Sequence, residues 1–111
     1  MKRGDLVTIA GAGDHDKPRP ALVVQRDAFT ALPSVTVLRL TNKIHAEQFV
    51  RITVPPTPEN GLRAPSQVMI DKAISVPRER VGTVIGHLDD ALMLTVSRAL
   101  SNFLGLDGLA A

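Results

Sequence analysis

Only the last part of this chain has the residue spacing of a long helix, and this limits the folds that the sequence can form. Asp89 is a suitable N-cap, because its carboxylate can accept a hydrogen bond from the first turn, and Gly105 is a suitable stop. Leu94 falls on the polar side of this helix, where it is either a lone exposed leucine or a dimer contact. The apolar residues that share the opposite face are Leu92, Val96, Ala99, Leu100 and Phe103.

The chain before this helix consists of short runs of β-branched and other apolar residues, interrupted by proline and glycine. Residues 55–61 are rich in proline and predict a connecting loop, and residues 77–80 predict one helical turn. Short strands followed by one closing helix predict a single mainly β (α+β) domain over residues 1–111, a small antiparallel barrel with helical cover. The predicted strands are Leu6–Ala10, Ala21–Arg26, Val35–Thr41, Phe49–Val54, Gln67–Asp71, Ala73–Val76 after a bulge, and Thr83–Ile85.

The composition excludes several kinds of function. The chain has no cysteine, which excludes disulfides and thiolate metal sites and favours a reducing compartment. No apolar run approaches the roughly 20 residues of a membrane span, and residues 1–5 lack the features of a signal peptide, so we expect a cytoplasmic protein. The net charge of +2 permits a polyanionic partner. Trp and Tyr are absent and Phe occurs three times, so RNA contacts are expected to depend on arginine, backbone and polar groups.

Arg19 is the most constrained basic residue of the sequence. Pro18 and Pro20 flank it, and each proline fixes its own φ and restricts the residue before it to extended geometry. The apolar strand beginning at Ala21 follows immediately. A guanidinium held at the end of a rigid strand is a plausible anion-binding group, although in isolation a solvated charge at a strand edge is the commoner outcome.

Four blocks, in this order, resemble the MazF/PemK family of toxin endoribonucleases. They are Lys-Arg-Gly-Asp-Leu-Val at 2–7, Arg-Pro-Ala-Leu-Val-Val-Gln at 19–25, Pro-Ser-Gln-Val-Met-Ile-Asp-Lys at 65–72, and Val-Gly at 81–82. The resemblance implies an SH3-like CcdB/MazF-type barrel, a homodimer, and cofactor-free, metal-independent cleavage of single-stranded messenger RNA, which inhibits translation and growth. It also implies a cognate antitoxin similar to MazE or PemI, whose acidic C-terminal tail blocks the RNA groove.

The resemblance also implies roles for individual residues. The catalytic arginine of the family falls on Arg19, and its catalytic hydroxyl falls on Thr41. An aspartate with acid–base function in the PemK branch falls on Asp71, but the arginine that precedes it by two residues in that branch is Met69 here. This departure favours the chemistry of Arg19 and Thr41. The family also has a histidine in the first loop, matched by His15 in a shorter loop.

Metal-free cleavage of RNA uses the neighbouring 2′-OH as nucleophile and leaves a 2′,3′-cyclic phosphate and a 5′-OH. Arg19 is suited to stabilising the transition state, since its planar guanidinium matches phosphate oxygens and stays charged. The general base stays open between Asp71, His15 and another group. His45 and His87 have no partners at metal-ligand spacing, so no metal site is predicted. The residues expected to contact RNA are Lys17, Arg39, Asn42, Ser66 and Gln67.

The sequence is also compatible with two other functions. A CcdB-like gyrase poison has the same fold, but that family uses a Trp near the C-terminus, which this chain lacks. A non-catalytic member that binds RNA or an antitoxin is the other, favoured by Met69. Taken alone, Asp71 is equally explained as the partner of Lys72 in a surface ion pair, and Thr41 as a good strand former.

Overall fold

The computed structural model describes residues 1–10, 17–45 and 49–108. These residues form six strands followed by one α-helix, which confirms the predicted order of elements. Two single-turn 3-10 helices, Asp27–Phe29 and Arg78–Arg80, lie in the connections. The strands are β1 Asp5–Ile9, β2 Arg19–Val23, β3 Ser34–Thr41, β4 Arg51–Val54, β5 Ser66–Pro77 and β6 Val81–His87, and the helix is α1 Asp90–Phe103.

The six strands form one antiparallel sheet in the order β4-β5-β3-β2-β1-β6. The loop that joins β4 to β5 leaves one edge of the sheet and reaches the other edge, where the Glu59 carbonyl accepts a hydrogen bond from the His87 amide at 2.9 Å. Gly86 permits this approach, because a Cβ at that position would overlap the backbone of Glu59 and Asn60. The contact between this loop, residues 55–65, and β6 closes the sheet into the small barrel that the sequence predicted, and we call this loop the closing loop.

The buried Asn60 holds the closing loop in shape. Its Oδ1 accepts hydrogen bonds from the amides of Thr57 at 3.0 Å and Leu62 at 2.9 Å, and its Nδ2 donates to the carbonyl of Pro55 at 2.9 Å. The Asn60 amide in turn donates to the hydroxyl of Thr57 at 3.1 Å. This proline-rich segment cannot form a strand, and the Asn60 side chain orders it by bonding to backbone groups that would otherwise lack partners.

The sheet buries apolar residues on both faces. The smaller cluster is formed by Val7, Ala21, Val23, Val35, Val37 and Val76. The larger cluster lies on the face that α1 covers, and Met93 and Val96 are the residues that α1 buries there. The strand and loop residues of this larger cluster are Leu6, Leu22, Leu38, Leu40, Val54, Val68, Ile70 and Leu88.

The prediction for α1 was correct in its caps and partly wrong in its buried face. The Asp89 carboxylate accepts a hydrogen bond from the Leu92 amide at 2.8 Å, and Gly105 follows the helix with φ +72°. Val96 is fully buried as predicted, but Met93 is buried without having been predicted, and Phe103 is half exposed. Leu92, Ala99 and Leu100 pack against the core as predicted, so Met93 widens the predicted face. Within the described ranges, no helix has the length and apolar character needed to cross a bilayer.

The strands were predicted in the right places, with different ends. β2 begins at Arg19 and ends at Val23, so the sequence placed this strand too late. The two runs predicted around residue 72 form one long strand, β5, and the predicted bulge is present as a register shift opposite Leu38 and Leu40. β4 begins at Arg51 rather than Phe49, and β6 extends beyond its predicted length on both sides.

Candidate functional site

Arg19 and Thr41 lie at adjacent ends of β2 and β3. The register of these two strands pairs Ala21 with Arg39. Continued by two residues, the same register places Arg19, the first residue of β2, opposite Thr41, the last residue of β3. Directly opposed side chains in an antiparallel pair have Cβ atoms about 4.5–5.5 Å apart and lie on the same face. The sheet thus brings together the two residues that the resemblance matches to the catalytic arginine and the catalytic hydroxyl of the family.

Both residues line a cavity of about 520 Å³ at this end of the barrel. Its walls come from the ends of β1, β2 and β3, the start of β5, and the closing loop. Among the described residues that line it, two are arginines, Arg19 and Arg63, and none is acidic. The cavity therefore favours an anionic ligand on charge alone. Its lining residues are Thr8, Pro18, Arg19, Pro20, Leu40, Thr41, Asn42, Gly61, Leu62, Arg63, Ala64, Ser66 and Ile85.

The hydroxyl of Thr41 is held in place but keeps its proton available. Thr41 Oγ1 accepts a hydrogen bond from the Lys43 amide at 3.1 Å. A hydroxyl has one donor and two acceptor lone pairs, so this contact leaves the O–H free to donate. Asn42, also in the cavity wall, is exposed. Ser66 is buried, and its hydroxyl donates to the Ala64 carbonyl at 3.0 Å, so it shapes the turn before β5.

Arg63 is a functional candidate that the sequence prediction missed. It lies in the closing loop and lines the cavity. The sequence contains a weak indication of this role, since Arg63 is a basic residue fixed between Gly61 and Pro65 in a segment that forms neither helix nor strand. Closure of the barrel brings Arg63 into the same cavity as Arg19. This closure depends on contacts between residues far apart in the chain.

Gln67 does not have the exposed position expected of an RNA-contacting residue. It is buried, its Oε1 accepts from the His45 amide at 2.9 Å, and its Nε2 donates to the His45 carbonyl at 2.9 Å and the Thr53 hydroxyl at 3.1 Å. Its amide therefore fastens the segment after β3 to β4 and β5. Lys17 and Arg39 are exposed but do not line the cavity. His15 lies outside the described residues.

Asp71 forms its ion pair with Arg51 on β4, and not with Lys72 as in the alternative explanation of this residue. Arg51 Nη1 donates to Asp71 Oδ1, and it also donates to the carbonyl of Val50 at 3.0 Å. Arg51 is the direct cross-strand partner of Met69. The guanidinium beside Asp71 thus comes from the neighbouring strand, next to the position where the PemK pattern has its arginine. Arg51 Nε is buried and has no hydrogen-bond partner among the described residues.

A site built from carboxylates and imidazoles for a metal ion is not found in the described part of the chain. No three His, Asp or Glu side chains lie close enough there to hold a cation. The polar groups that the fold gathers at the cavity are guanidinium, hydroxyl and amide groups. These groups donate hydrogen bonds to phosphate oxygens, which is the interaction that phosphoryl chemistry without a metal requires.

Comparisons with known proteins show the family to which the chain is similar. Residues 2–104 match the model of the family described as PemK-like, MazF-like toxins of type II toxin–antitoxin systems. A probable endoribonuclease MazF of Mycolicibacterium smegmatis is 42% identical over 109 residues, which are 97% of this chain and 100% of that protein. The Mycobacterium tuberculosis toxin MazF-mt6 superposes with a TM-score of 0.74 at 28% identity, over 89% of this chain and 95% of that one. A mycobacterial endoribonuclease in complex with its cognate antitoxin gives a TM-score of 0.78 at 21% identity, over 96% of each chain.

Proposed function

This chain belongs to the PemK-like, MazF-like toxin family of type II toxin–antitoxin systems, and we propose that it is an endoribonuclease that cleaves single-stranded RNA in the cavity lined by Arg19 and Thr41. The observation that carries the proposal is that Arg19 and Thr41 line one cavity whose charged lining residues, among those described, are both arginines. Its similarity to an endoribonuclease over the whole length of that protein supports the same activity.

The reaction is an attack of the RNA 2′-OH on the adjacent phosphorus. The new bond joins the 2′ oxygen to phosphorus and the bond to the 5′ oxygen breaks, so the products are a 2′,3′-cyclic phosphate and a 5′-OH end. The proton of the 2′-OH passes to a base, and a proton reaches the leaving oxygen. Negative charge increases on the non-bridging oxygens in the transition state, where donors fixed in advance stabilise it most.

Arg19 supplies that stabilisation. Its guanidinium offers two parallel donors to the phosphate oxygens, and the prolines on both sides restrict its backbone, so little freedom is lost when the phosphate binds. The free O–H of Thr41 donates to the same phosphate or orients the 2′-OH. Arg63, in the same cavity, holds a neighbouring phosphate. Asp71 does not line the cavity and is held by Arg51, so His15 or another group is the candidate for the base.

The same surface is suited to an antitoxin. One structural relative is a mycobacterial endoribonuclease bound to its cognate antitoxin, and another is a MazE–MazF complex from Deinococcus radiodurans. We infer that this chain also binds a cognate antitoxin, whose acidic tail occupies the cavity by pairing with Arg19 and Arg63. We also infer a homodimer, as the resemblance implies. With messenger RNA as substrate, the protein acts in the cytoplasm.

Incubation of the purified protein with a long single-stranded RNA in excess EDTA tests the proposed activity. The expected result is a set of discrete cuts that carry 5′-OH and 2′,3′-cyclic phosphate ends. An oligonucleotide with a single 2′-deoxynucleotide at a mapped cut site lacks the nucleophile and should resist cleavage there, whereas the matched all-ribose oligonucleotide is cut. Cleavage of the deoxy substrate, or products with 5′-phosphate ends, would contradict attack by the 2′-OH.

A further inference from the structure

We propose that Phe49, Arg51 and Asp71 form a binding site for one unpaired base of the RNA, on the outer face of β4 and β5. This inference rests on the proposed function, because it assigns a base-recognition role beside the cleavage cavity. The aromatic ring provides a stacking surface, and the guanidinium and carboxylate read the edge of the base. Single-stranded RNA is commonly recognised in this way, by stacking together with hydrogen bonds to the Watson–Crick edge.

Phe49 is placed on this face by the alternation of the strand that follows it. Ile70 donates a backbone hydrogen bond to the Val50 carbonyl at 2.9 Å, so pairing with β5 extends back to Val50. Val50 and Ile52 pack against the core, and the residues between and beside them, Phe49 and Arg51, therefore face outward. The β4–β5 register, continued by one residue past Val50, places Phe49 opposite Asp71.

The ring of Phe49 is exposed to a degree that packing does not explain. Its exposed fraction is 90%, against 52% for Phe29 and 50% for Phe103, the other two phenylalanines. A flat apolar surface held in water two residues before β4 is available for stacking, and every base has a face that can stack on it. The low aromatic content argued against an extended stacking platform, but one ring is sufficient for one base.

Arg51 and Asp71 offer complementary groups beside the ring. The side chains are 14% and 27% exposed respectively, so the pair is largely shielded from water yet accessible at one side. The carboxylate accepts hydrogen bonds from an exocyclic amino group, which adenine, cytosine and guanine have and uracil lacks. Arg51 Nη1 already donates to Asp71 and to the Val50 carbonyl, so contacts to the base come from the other N–H groups of the guanidinium while the ion pair stays intact.

The outer face of β5 connects this site to the cleavage cavity. Gln67 on β5 pairs with Thr41 on one side and with Thr53 on the other. Met69 and then Asp71 follow on the same face of β5, at most about 13 Å from Gln67 at the rise of an extended strand. The backbone of His45 covers Gln67, so an RNA strand whose scissile phosphate lies between Arg19 and Thr41 would pass over this segment to reach Asp71. The base bound there contributes to the sequence preference of the enzyme.

Three substitutions at Phe49 test stacking, with Phe29→Ala as the matched control. Phe49→Ala should raise KM for RNA about 5- to 100-fold, which corresponds to the stacking free energy of one base, while kcat changes little. Phe49→Tyr should recover most of the affinity, and Phe49→Leu should resemble Phe49→Ala because it lacks a π face. Phe29→Ala should leave KM unchanged. Equal effects of Phe49→Ala and Phe29→Ala, or a wild-type KM for Phe49→Leu, would overturn the proposal.

Mapping of the cut sites tests the reading of the base edge. Wild-type protein should avoid uracil at one position of its recognition sequence, and both Phe49→Ala and Asp71→Asn should relax that one position while the other positions keep their preference. An unchanged recognition sequence in Phe49→Ala would contradict the assignment.

Binding to a pool of 2′-O-methylated RNA, which cannot be cleaved by its own 2′-OH, separates this proposal from the proposed activity. Weaker binding by Phe49→Ala than by Phe29→Ala supports the base site even if the wild-type protein does not cut RNA. Equal binding by the two variants refutes the base site even if the wild-type protein cuts, and no binding by any form refutes both proposals.

Discussion

Arg51 on β4 donates a hydrogen bond to the carboxylate of Asp71 on β5, twenty residues away in the sequence. Arg51 lies directly opposite Met69, the position at which the PemK pattern has an arginine in the same strand as its aspartate. The chain therefore keeps a guanidinium beside Asp71, although the arginine comes from the neighbouring strand. Met69 kept a non-catalytic protein open as an alternative. Because Arg51 supplies the guanidinium, Met69 is now weaker evidence for that alternative.

This relationship predicts that the arginine can be moved between the two strands. Arg51→Met should lower the free energy of unfolding by about 1–2 kcal/mol and weaken RNA cleavage, because Asp71 loses its charged donor. Met69→Arg, added to Arg51→Met, should recover much of both losses, since the two positions are opposed and share a face. Chemical denaturation and initial cleavage rates measure the two effects.

Arg80→Met, which removes an exposed arginine from the 3-10 helix after β5, is the control for the loss of one positive charge. If the double variant were no better than Arg51→Met in either measurement, the account of Arg51 as the replacement for the in-strand arginine would be wrong.

Thr41→Val and Thr41→Ser separate the contribution of the Thr41 hydroxyl from that of its branched side-chain shape. Valine keeps the branched side chain and its preference for strands, so the fold should persist. Loss of the O–H that donates to the phosphate should lower kcat by about 100-fold, similar to the loss of one donor in an oxyanion hole. Thr41→Ser keeps the hydroxyl and should retain most of the activity. Single-turnover cleavage at saturating protein gives the comparison, and an active Thr41→Val would remove Thr41 from the mechanism.

Arg63→Ala should weaken RNA binding with little change in the chemical step. Arg63 lines the cavity from the closing loop, where it can neutralise one phosphate. Removing one phosphate contact should reduce the slope of log Kd against log salt by about 0.7, the value expected for single-stranded nucleic acid. Fluorescence anisotropy of a labelled, uncleavable RNA over a range of salt concentrations measures the slope. Arg80→Ala, outside the cavity, should have the same slope as wild type.

Gly86→Ala should disturb the closure of the barrel and, through it, the cavity. A Cβ at this position overlaps the backbone of Glu59 and Asn60. Backbone atoms cannot move aside as a flexible side chain can, so the overlap is costly. We expect a loss of about 1–3 kcal/mol in the free energy of unfolding, together with a lower cleavage rate, because the same loop carries Arg63. Thr83→Ala, at an exposed position of the same strand, should change neither quantity much. Normal activity in a folded Gly86→Ala would separate loop closure from function.

Proline, glycine and β-branched residues near them in the chain predicted that Arg19 and Thr41 stand at strand ends. Their catalytic roles came from the resemblance to the family. Arg51 and Arg63 were missed because their roles come from the β4–β5 register and from the contact of the closing loop with β6. Neither contact has a signature in the residues around those arginines.

Gln67 shows the opposite error, in which a polar residue was expected to bind RNA. Its neighbours in the sequence give no indication that the backbone of His45 occupies its amide. A similar limit applies to α1, where helical spacing identified most of the apolar face but missed Met93 and included the half-exposed Phe103.

Cleavage of a long single-stranded RNA in excess EDTA by wild type, Arg19→Ala and Arg26→Ala tests the central claim most directly. Arg26 is an exposed arginine that does not line the cavity, so its replacement controls for the loss of one charge. We predict discrete cuts with 5′-OH ends for wild type and Arg26→Ala, and a rate at least about 100-fold lower for a folded Arg19→Ala. Intact RNA after incubation with folded, antitoxin-free wild type, or equal cleavage by Arg19→Ala, would contradict the assignment of RNA cleavage to this cavity.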